Sequence, residues 1–239
     1  MENAKCKNKV ILKLGGSLIK KSRDILRVLV DYARERDRDK NRDFTLILIP
    51  GGGPFAETVR SLSATMSIPN ETAHWMAVLA MHQYGLFLAA CSGGGETRIP
   101  LVESVDVDEI DRAGPICILL PYTILKQDDC LPHTWDVTSD TIAAFVANRL
   151  GEKRFIKLTD VDGIQDKKSG HLIEKIRANE LAGKQAAGLN CIDAELPEFL
   201  MQTKMSCIIV NGNYPNRIID AIEEKENMNE NKTVCTKIF

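Results

Sequence analysis

The sequence has no excess of basic residues, no closely spaced pair of cysteines and no long apolar run. Its 31 Lys and Arg residues against 33 Asp and Glu give a net charge of -2, so no global positive field exists to hold nucleic acid. The seven cysteines are scattered, which excludes a zinc clasp or a redox pair and favours a reducing cytoplasm. Apolar runs such as 116–121 are far shorter than the roughly 20 residues of a membrane span, and residues 1–9 lack the apolar segment of a signal peptide. The sequence therefore predicts a cytoplasmic protein without membrane or nucleic-acid partners.

Two common nucleotide-binding motifs are also missing. The phosphate loop Gly-x-x-x-x-Gly-Lys-Ser/Thr does not occur, and no Gly-x-Gly-x-x-Gly opens the first predicted helix. Phosphate-loop and dinucleotide-binding folds are therefore disfavoured, and any phosphate group must be held by other local groups.

Short apolar runs alternate with segments of helical periodicity along nearly the whole chain of 239 residues. The predicted strands are 10–14, 44–49, 98–102, 116–120, 154–158, 207–210 and 233–238. The predicted helices are 25–33, 72–90, 107–112, 138–150, 194–203 and 215–224. Such alternation is typical of an α/β protein with a mostly parallel sheet covered on both faces.

Two glycine clusters follow predicted strands, at the sheet edge where ligands bind in such folds. The segment Lys13-Leu14-Gly15-Gly16-Ser17 places a cation just before backbone N–H groups that no side chain obstructs. Gly51-Gly52-Gly53 offers a second cradle of the same kind. Glycine turns after strands are also ordinary connectors, but two of them together with a lysine favour phosphate binding.

Two polar segments lie in the second half of the chain. Asp136-Val137-Thr138-Ser139-Asp140 precedes an apolar helix, where its side chains either cap the helix or take part in a site. Lys157-Leu158-Thr159-Asp160-Val161-Asp162-Gly163 is a strand end followed by a polar turn, and the turn either takes part in a site or is a plain Asp-Gly turn.

In this order and spacing, the four segments resemble the amino acid kinase superfamily across nearly the whole chain. The resemblance implies a three-layer αβα sandwich formed by one domain, 1–239, with 1–135 mainly on the acceptor side and 136–239 mainly on the nucleotide side. It also implies ATP as the phosphoryl donor, Mg²⁺, a small-molecule acceptor and a homo-oligomer. The long apolar helix 72–90 could form the interface between copies, although a place in the core explains its composition equally well.

Within this superfamily, the segments 133–140 and 191–194 resemble the archaeal kinases of methanofuran biosynthesis, which act on [5-(aminomethyl)furan-3-yl]methyl phosphate. This resemblance implies transfer of the γ-phosphoryl group to a phosphomonoester. The alternatives are another acceptor (uridylate, isopentenyl phosphate or an amino acid carboxylate), a catalytically silent nucleotide sensor, or a purely structural subunit. His133 and Trp135 could hold a furan ring or its phosphate, with core packing of Trp135 as the alternative.

The resemblance also assigns roles to individual residues. Lys13 would neutralise the transferring phosphoryl group, and Asp140 would orient the groups around it. The predicted nucleotide-binding residues are Gly15, Gly16, Ser17, Lys21 or alternatively Lys20, Thr159, Asp160 and Gly163. The predicted substrate-binding residues are Gly51, Gly52, Gly53, Asp136, Thr138 and Asp193. No protein side chain is expected to bind the metal.

Asp193 marks a departure from the family pattern. The family commonly carries a late lysine at this position, which touches the donor phosphates. Lys184 could compensate for its loss, and Asp193 could instead pair with the ammonium of an aminomethyl acceptor. The alternative is that Asp193 caps the helix that follows it.

Overall fold

The computed structural model describes residues 8–38, 44–93, 98–166, 169–182, 191–223 and 234–239. The strands are β1 (Asn8–Leu14), β2 (Phe44–Pro50), β3 (Leu101–Val102), β4 (Ile116–Leu119), β5 (Arg154–Thr159), β6 (Lys175–Ile176), β7 (Ser206–Asn211) and β8 (Cys235–Ile238). The helices are α1 (Ser22–Arg38), α2 (Gly53–Met66), α3 (Asn70–Cys91), α4 (Val107–Arg112), α5 (Tyr122–Gln127), α6 (Ser139–Arg149), α7 (Ala178–Leu181), α8 (Leu196–Thr203) and α9 (Pro215–Glu223). A 3-10 helix, Gly16–Lys21, joins β1 to α1.

The strands form one sheet of eight in the order β3-β4-β2-β1-β5-β7-β8-β6. All neighbours pair in parallel except β7 and β8, which are antiparallel. The expected mostly parallel sheet is confirmed. Because β2, β1, β5 and β7 run in the same direction, the segments that follow them emerge at one edge of the sheet.

Helices cover both faces of the sheet, so the αβα sandwich is also confirmed. Side chains of a strand alternate between its two faces. Val10, Leu12 and Leu14 of β1 pack in the core beneath α1 and α9. Ile11 packs in the other core, beneath α6 and α8, and the alternation places Lys13 on this second face.

The long helix α3 contributes to both cores. Trp75, Val78 and Met81 in its first half join the core beneath α6, and Tyr84 and Leu88 in its second half join the opposite one. The expected helix 72–90 is therefore confirmed, and its apolar composition serves two cores. None of the helices in the described part of the chain is long and apolar enough to cross a membrane.

Three helices were not expected from the sequence: α2, α5 and α7. Only Val59 is buried along α2, so the apolar periodicity that reveals a helix is weak there. The other two span a few residues each, too few to establish a period. The strand expected at 98–102 is also shorter, because regular pairing of β3 begins at Leu101. The expected ends at Glu224 and Thr233 lie outside the described residues.

Candidate active site

Three helix starts meet at the edge where β1 and β2 end. The 3-10 helix begins at Gly16, α2 begins at Gly53, and α6 begins at Ser139. Gly51 lies among all three, since a Cβ atom added there would be 3.1 Å from the backbone N of Gly16 and 3.4 Å from Oγ of Ser139. Helix starts direct backbone N–H groups and a partial positive charge outwards, which favours an anion.

The two glycine loops are in direct contact. A Cβ on Gly16 would lie 2.3 Å from Cα of Gly53, closer than real side chains approach. Gly53 also has a φ of 55°, in the left-handed region that glycine adopts without strain. Close approach of the two backbones therefore requires glycine at position 16, and the left-handed backbone favours glycine at position 53.

A buried trio of charges lies behind the loops. Lys13 and Lys157 are direct partners in the pairing of β1 with β5. Lys13 Nζ is 2.7 Å from Oδ1 of Asp140, and Lys157 Nζ forms an ion pair with Oδ2 of the same carboxylate. Asp140 is in the first turn of α6, next to Ser139. The expectation that Asp140 orients the reactive lysine therefore fits its geometry.

The three groups shift one another's pKa values. Burial by itself would raise the pKa of Asp140, but the two ammonium groups outweigh it and lower the pKa to about 2. Burial also lowers the pKa of both lysines, and Asp140 opposes it. For Lys157 the carboxylate prevails and the pKa is raised. For Lys13 burial prevails and the pKa is lowered, with Lys157 adding to the effect.

Lys157 is the site residue that the sequence reading missed. It was seen only as part of the strand before the polar turn. A signal was present, because β1 and β5 each carry a Lys-Leu pair near the strand end, with Lys13 second from the end of β1 and Lys157 third from the end of β5. This shared Lys-Leu pattern becomes informative only when the two strands are known to be neighbours.

The donor roles expected of Gly15 and Gly51 are wrong. The N–H of Gly15 donates to the carbonyl of Leu158 at 2.9 Å, and that of Gly51 donates to the carbonyl of Leu14 at 2.8 Å. Both groups extend the pairing between strands by one residue. The backbone of Gly16, Gly52 and Gly53 instead lines the adjacent cavity.

This cavity has a volume of about 630 Å³ and an open mouth, a size typical of sites for small molecules. Ser17, Thr138 and Ser139 line it near the helix starts. Its titratable side chains are those of Lys20, Glu57, Arg60 and His74. One wall is apolar and is formed by Ala77, Val78, Met81, Val137 and Ile142.

Lys21 and Asp136 do not line the cavity, and neither do the buried Lys13 and Asp140 behind the loops. Lys20 lines it in place of Lys21, so the structure favours the alternative register for the lysine. The carboxylate of Asp136 is exposed and accepts a hydrogen bond from Oγ1 of Thr134 at 3.3 Å. Asp136 lies outside the cavity lining, and the geometry does not support contact with the acceptor there.

The acceptor-binding role expected of Asp193 does not fit its geometry, and the capping alternative does. Its carboxylate accepts hydrogen bonds from the backbone N–H and the hydroxyl of both Thr138 and Thr141, at 2.7 to 2.9 Å. It also accepts one from the N–H of Leu196 at 3.0 Å, at the start of α8. Because both oxygens are engaged in the interior, Asp193 cannot pair with a ligand in the cavity. Lys184 lies outside the described residues.

The polar turn after β5 is held by its own contacts. Asp162 forms an ion pair with Arg217 at 2.6 Å and accepts a hydrogen bond from Asn211 at 2.9 Å. Gly163 has a φ of 142°, and a Cβ there would be 2.3 Å from Oγ1 of Thr236. Thr159 is buried and Asp160 exposed beside it. The turn lies next to Gly15 but outside the cavity lining, so the nucleotide contacts of Thr159, Asp160 and Gly163 stay a prediction.

The aromatic side chains of His74 and Trp135 line the cavity. The imidazole of His74 stacks on that of His133, with ring centroids 4.5 Å apart. The guanidinium of Arg60 lies over the indole of Trp135 at 4.6 Å. Trp135 is half-buried and lines the cavity. Burial, together with His133, lowers the pKa of His74 to about 4, so this ring is neutral at pH 7.

The described residues include no group of three or more His, Cys, Asp or Glu side chains arranged to hold a metal ion. Both carboxylate oxygens of Asp140 are paired with lysines. The chemistry of these side chains therefore does not fit a metal held by the protein. Mg²⁺ commonly binds through substrate phosphates and water instead.

Comparison with known proteins agrees with this geometry. Residues 8–211 match the model of the amino acid kinase family. The [5-(aminomethyl)furan-3-yl]methyl phosphate kinase of Methanocaldococcus jannaschii is 34% identical over 221 residues, which cover 91% of this chain and 94% of that protein. An acetylglutamate kinase from Rhizorhabdus wittichii is 39% identical over 61 residues, or 26% of this chain and 19% of that enzyme.

Solved structures share the fold at low identity. The uridylate kinase of Archaeoglobus fulgidus superposes with a TM-score of 0.69 at 18% identity, covering 97% of this chain and 100% of that one. The UMP kinase of Ureaplasma parvum superposes with a TM-score of 0.68 at 17% identity, covering 97% of this chain and 98% of that one.

Proposed function

Because the chain belongs to the amino acid kinase family, we propose that it transfers the γ-phosphoryl group of ATP to a phosphomonoester. The observation that carries this proposal is the contact of two glycine loops beside a buried lysine pair. Gly16 and Gly53 bring two anion-binding helix starts together. Two phosphate groups held there would face each other across the charges of Lys13 and Lys157.

We propose [5-(aminomethyl)furan-3-yl]methyl phosphate as the acceptor and its diphosphate as the product. Support comes from the relative in Methanocaldococcus jannaschii, whose similarity extends over 91% of this chain. The cavity also suits the three parts of such a molecule. Its helix starts suit the phosphate, its aromatic wall suits the furan ring, and its polar side chains suit the amine.

The reaction needs positioning and charge neutralisation more than covalent help from the protein. A phosphate acceptor is already anionic near neutral pH, so no strong general base is required. Lys13 neutralises the transferring group, Lys157 adds a second positive charge, and Asp140 holds both lysines in place. The N–H groups at Gly16, Gly52 and Gly53 orient the phosphates from opposite sides.

We assign ATP to the side of Gly16, Ser17 and Lys20, with Thr159, Asp160 and Gly163 as further nucleotide contacts. The acceptor lies on the side of Gly52, Gly53 and Thr138. When bound, Mg²⁺ offsets the negative charge of the phosphates, and we propose that the nucleotide supplies its ligands.

Two further proposals concern the whole protein. A cytoplasmic location accords with the free thiols of Cys91, Cys117, Cys130, Cys191 and Cys207. A homo-oligomer accords with the apolar side chains that α2 and α3 expose, namely Leu62, Met66, Leu79, Leu86 and Phe87.

The proposed function is tested by incubating the protein with Mg-ATP and a panel of acceptors, then looking for new phosphorylated products by mass spectrometry. The panel contains the aminomethylfuran phosphate, uridylate, isopentenyl phosphate and N-acetylglutamate. We expect a diphosphate from the furan compound at the highest kcat/KM. A higher kcat/KM for another acceptor would identify that acceptor as the substrate instead. ATP binding without any product would indicate a nucleotide sensor.

A further inference from the structure

The proposed acceptor carries a cation as well as a phosphate. Its aminomethyl group is an ammonium at neutral pH, because the pKa of an alkylamine lies well above 7. Recognition of an ammonium in a partly enclosed site calls for a carboxylate within hydrogen-bonding reach. An acidic side chain in the cavity would therefore let it select for the amine.

The carboxylates near the helix starts are already bonded to other protein groups or lie outside the cavity lining. Asp140 is paired with two lysines, and both oxygens of Asp193 accept hydrogen bonds from α6 and α8. Asp136 lies outside the cavity lining. Among the described residues that line the cavity, one is acidic, and it is Glu57.

Glu57 stands one helical turn beyond the start of α2. Four residues separate it from Gly53, a rise of about 6 Å along the helix. Side chains at i and i+4 lie on one face, and they tilt towards the helix N-terminus. A ligand whose phosphate binds at the start of α2 can therefore reach Glu57 across a five-membered ring and two methylene groups.

Glu57 forms a long i,i+3 ion pair with Arg60, which leaves its carboxylate able to accept a hydrogen bond from a ligand. Nε of Arg60 is 3.8 Å from its Oε1, beyond hydrogen-bonding distance, and the Glu57 side chain is 71% exposed. The guanidinium of Arg60 lies instead over the indole of Trp135. This arrangement keeps a negative charge on the cavity wall beside a positive one.

We propose that Glu57 selects for the amine by accepting a hydrogen bond from the acceptor's ammonium. Glu57 is then a specificity residue for a zwitterionic phosphomonoester, and Asp193 is not. This inference rests on the proposed function, because it takes an aminomethyl phosphate as the acceptor. It also explains how a cavity with two cations, Lys20 and Arg60, favours a ligand that carries a positive charge.

The test measures kcat/KM for two acceptors in three proteins. The acceptors are [5-(aminomethyl)furan-3-yl]methyl phosphate and its counterpart with a methyl group in place of the aminomethyl group. The proteins are the wild type, Glu57→Gln, and Glu35→Gln as a control for loss of one exposed carboxylate. Glu35 is exposed on α1 and does not line the cavity.

We expect the wild type and Glu35→Gln to prefer the amine by about 10-fold, the range of a charge-assisted hydrogen bond in a partly exposed site. Glu57→Gln should lose this preference through a higher KM for the amine, with the methyl compound changed by less than about 2-fold. A role limited to stabilising the start of α2 would change both acceptors equally.

The outcomes separate the two proposals. Turnover of the amine with an unchanged preference in Glu57→Gln would overturn the role of Glu57 and leave the kinase function intact. No turnover of either acceptor by the wild type would reject the proposed substrate, and the inference with it.

Discussion

At the scale of single residues, the site depends on three buried charges that neutralise one another only in part. Lys13, Lys157 and Asp140 are each at most 6% exposed, with two lysines to one carboxylate. A buried charge without its partner is costly, so the carboxylate is needed to keep two lysines in the interior. The excess positive charge is what a transferring phosphoryl group can use.

We predict that Lys13→Met lowers kcat by about 100- to 1,000-fold, comparable to the loss of a positioned oxyanion donor. The variant should remain folded, because Asp140 keeps its ion pair with Lys157. Lys157→Met should also lower kcat. Steady-state kinetics with ATP and the furan phosphate, alongside a circular dichroism melt, measures both effects.

Arg149→Met serves as the control, since it removes an ion pair with Asp128 that is partly exposed and outside the cavity lining. It should retain turnover close to that of the wild type. A kcat in Lys13→Met equal to that of the control would contradict the assignment.

His74 makes stability depend on pH. Burial, with His133 next, lowers its pKa in the folded protein to about 4, below the value of about 6.5 in the unfolded chain. The unfolded state therefore binds the proton more readily, and the stabilisation present above pH 6.5 is lost as the pH falls towards 4.

We predict that His74→Gln weakens this pH dependence, whereas His171→Gln, at an exposed imidazole, does not. Urea unfolding at pH 7 and pH 5 gives the free energy of unfolding in each case. If the free energy of unfolding falls by the same amount between pH 7 and pH 5 in His74→Gln and in the wild type, another group is responsible for the pH dependence.

At the scale of elements, the helix starts are held in place by a side chain distant in sequence. Asp193 bonds to both threonines at the start of α6 and to the start of α8. Its partner Thr138 is 55 residues away along the chain. One carboxylate thus joins two helices and sets the position of Ser139, which lines the cavity.

We predict that Asp193→Ala lowers the free energy of unfolding by about 2 kcal/mol or more, because several buried donors lose their acceptor. The preference for an aminomethyl acceptor over its methyl counterpart should persist in Asp193→Asn. Chemical denaturation and the kinetic comparison of the two acceptors check these expectations. An amine preference that disappears in Asp193→Asn would restore the ammonium-binding role that the structure argues against.

At the scale of the whole molecule, helix α3 lies against both cores and still exposes large apolar side chains. Leu79 is 42% exposed and Leu86 50%, and their spacing of seven residues places them on one face. Leu62 and Met66 expose apolar surface on the neighbouring helix α2. Several large apolar side chains exposed on two neighbouring helices are typical of a contact with another protein chain.

We predict that a second copy covers this surface and that Leu86→Asp shifts the protein to a smaller assembly. Light scattering coupled to size-exclusion chromatography measures the mass. Val161→Asp, at a side chain 41% exposed in the turn after β5, is the matched control and should not change it. A wild type that is monomeric at all concentrations would exclude the homo-oligomer.

The sequence by itself determined the class of fold and the four segments around the site, because apolar periodicity and turn chemistry act within a few residues. It left Lys157 unrecognised, as its role arises from the register that sets it beside Lys13 across two strands. Only the tertiary structure decided that Asp193 is an internal cap, that the N–H groups of Gly15 and Gly51 belong to the sheet, and that Glu57 lines the cavity. Each of these outcomes depends on which distant segment comes within bonding distance, and a local pattern carries no information about that distance.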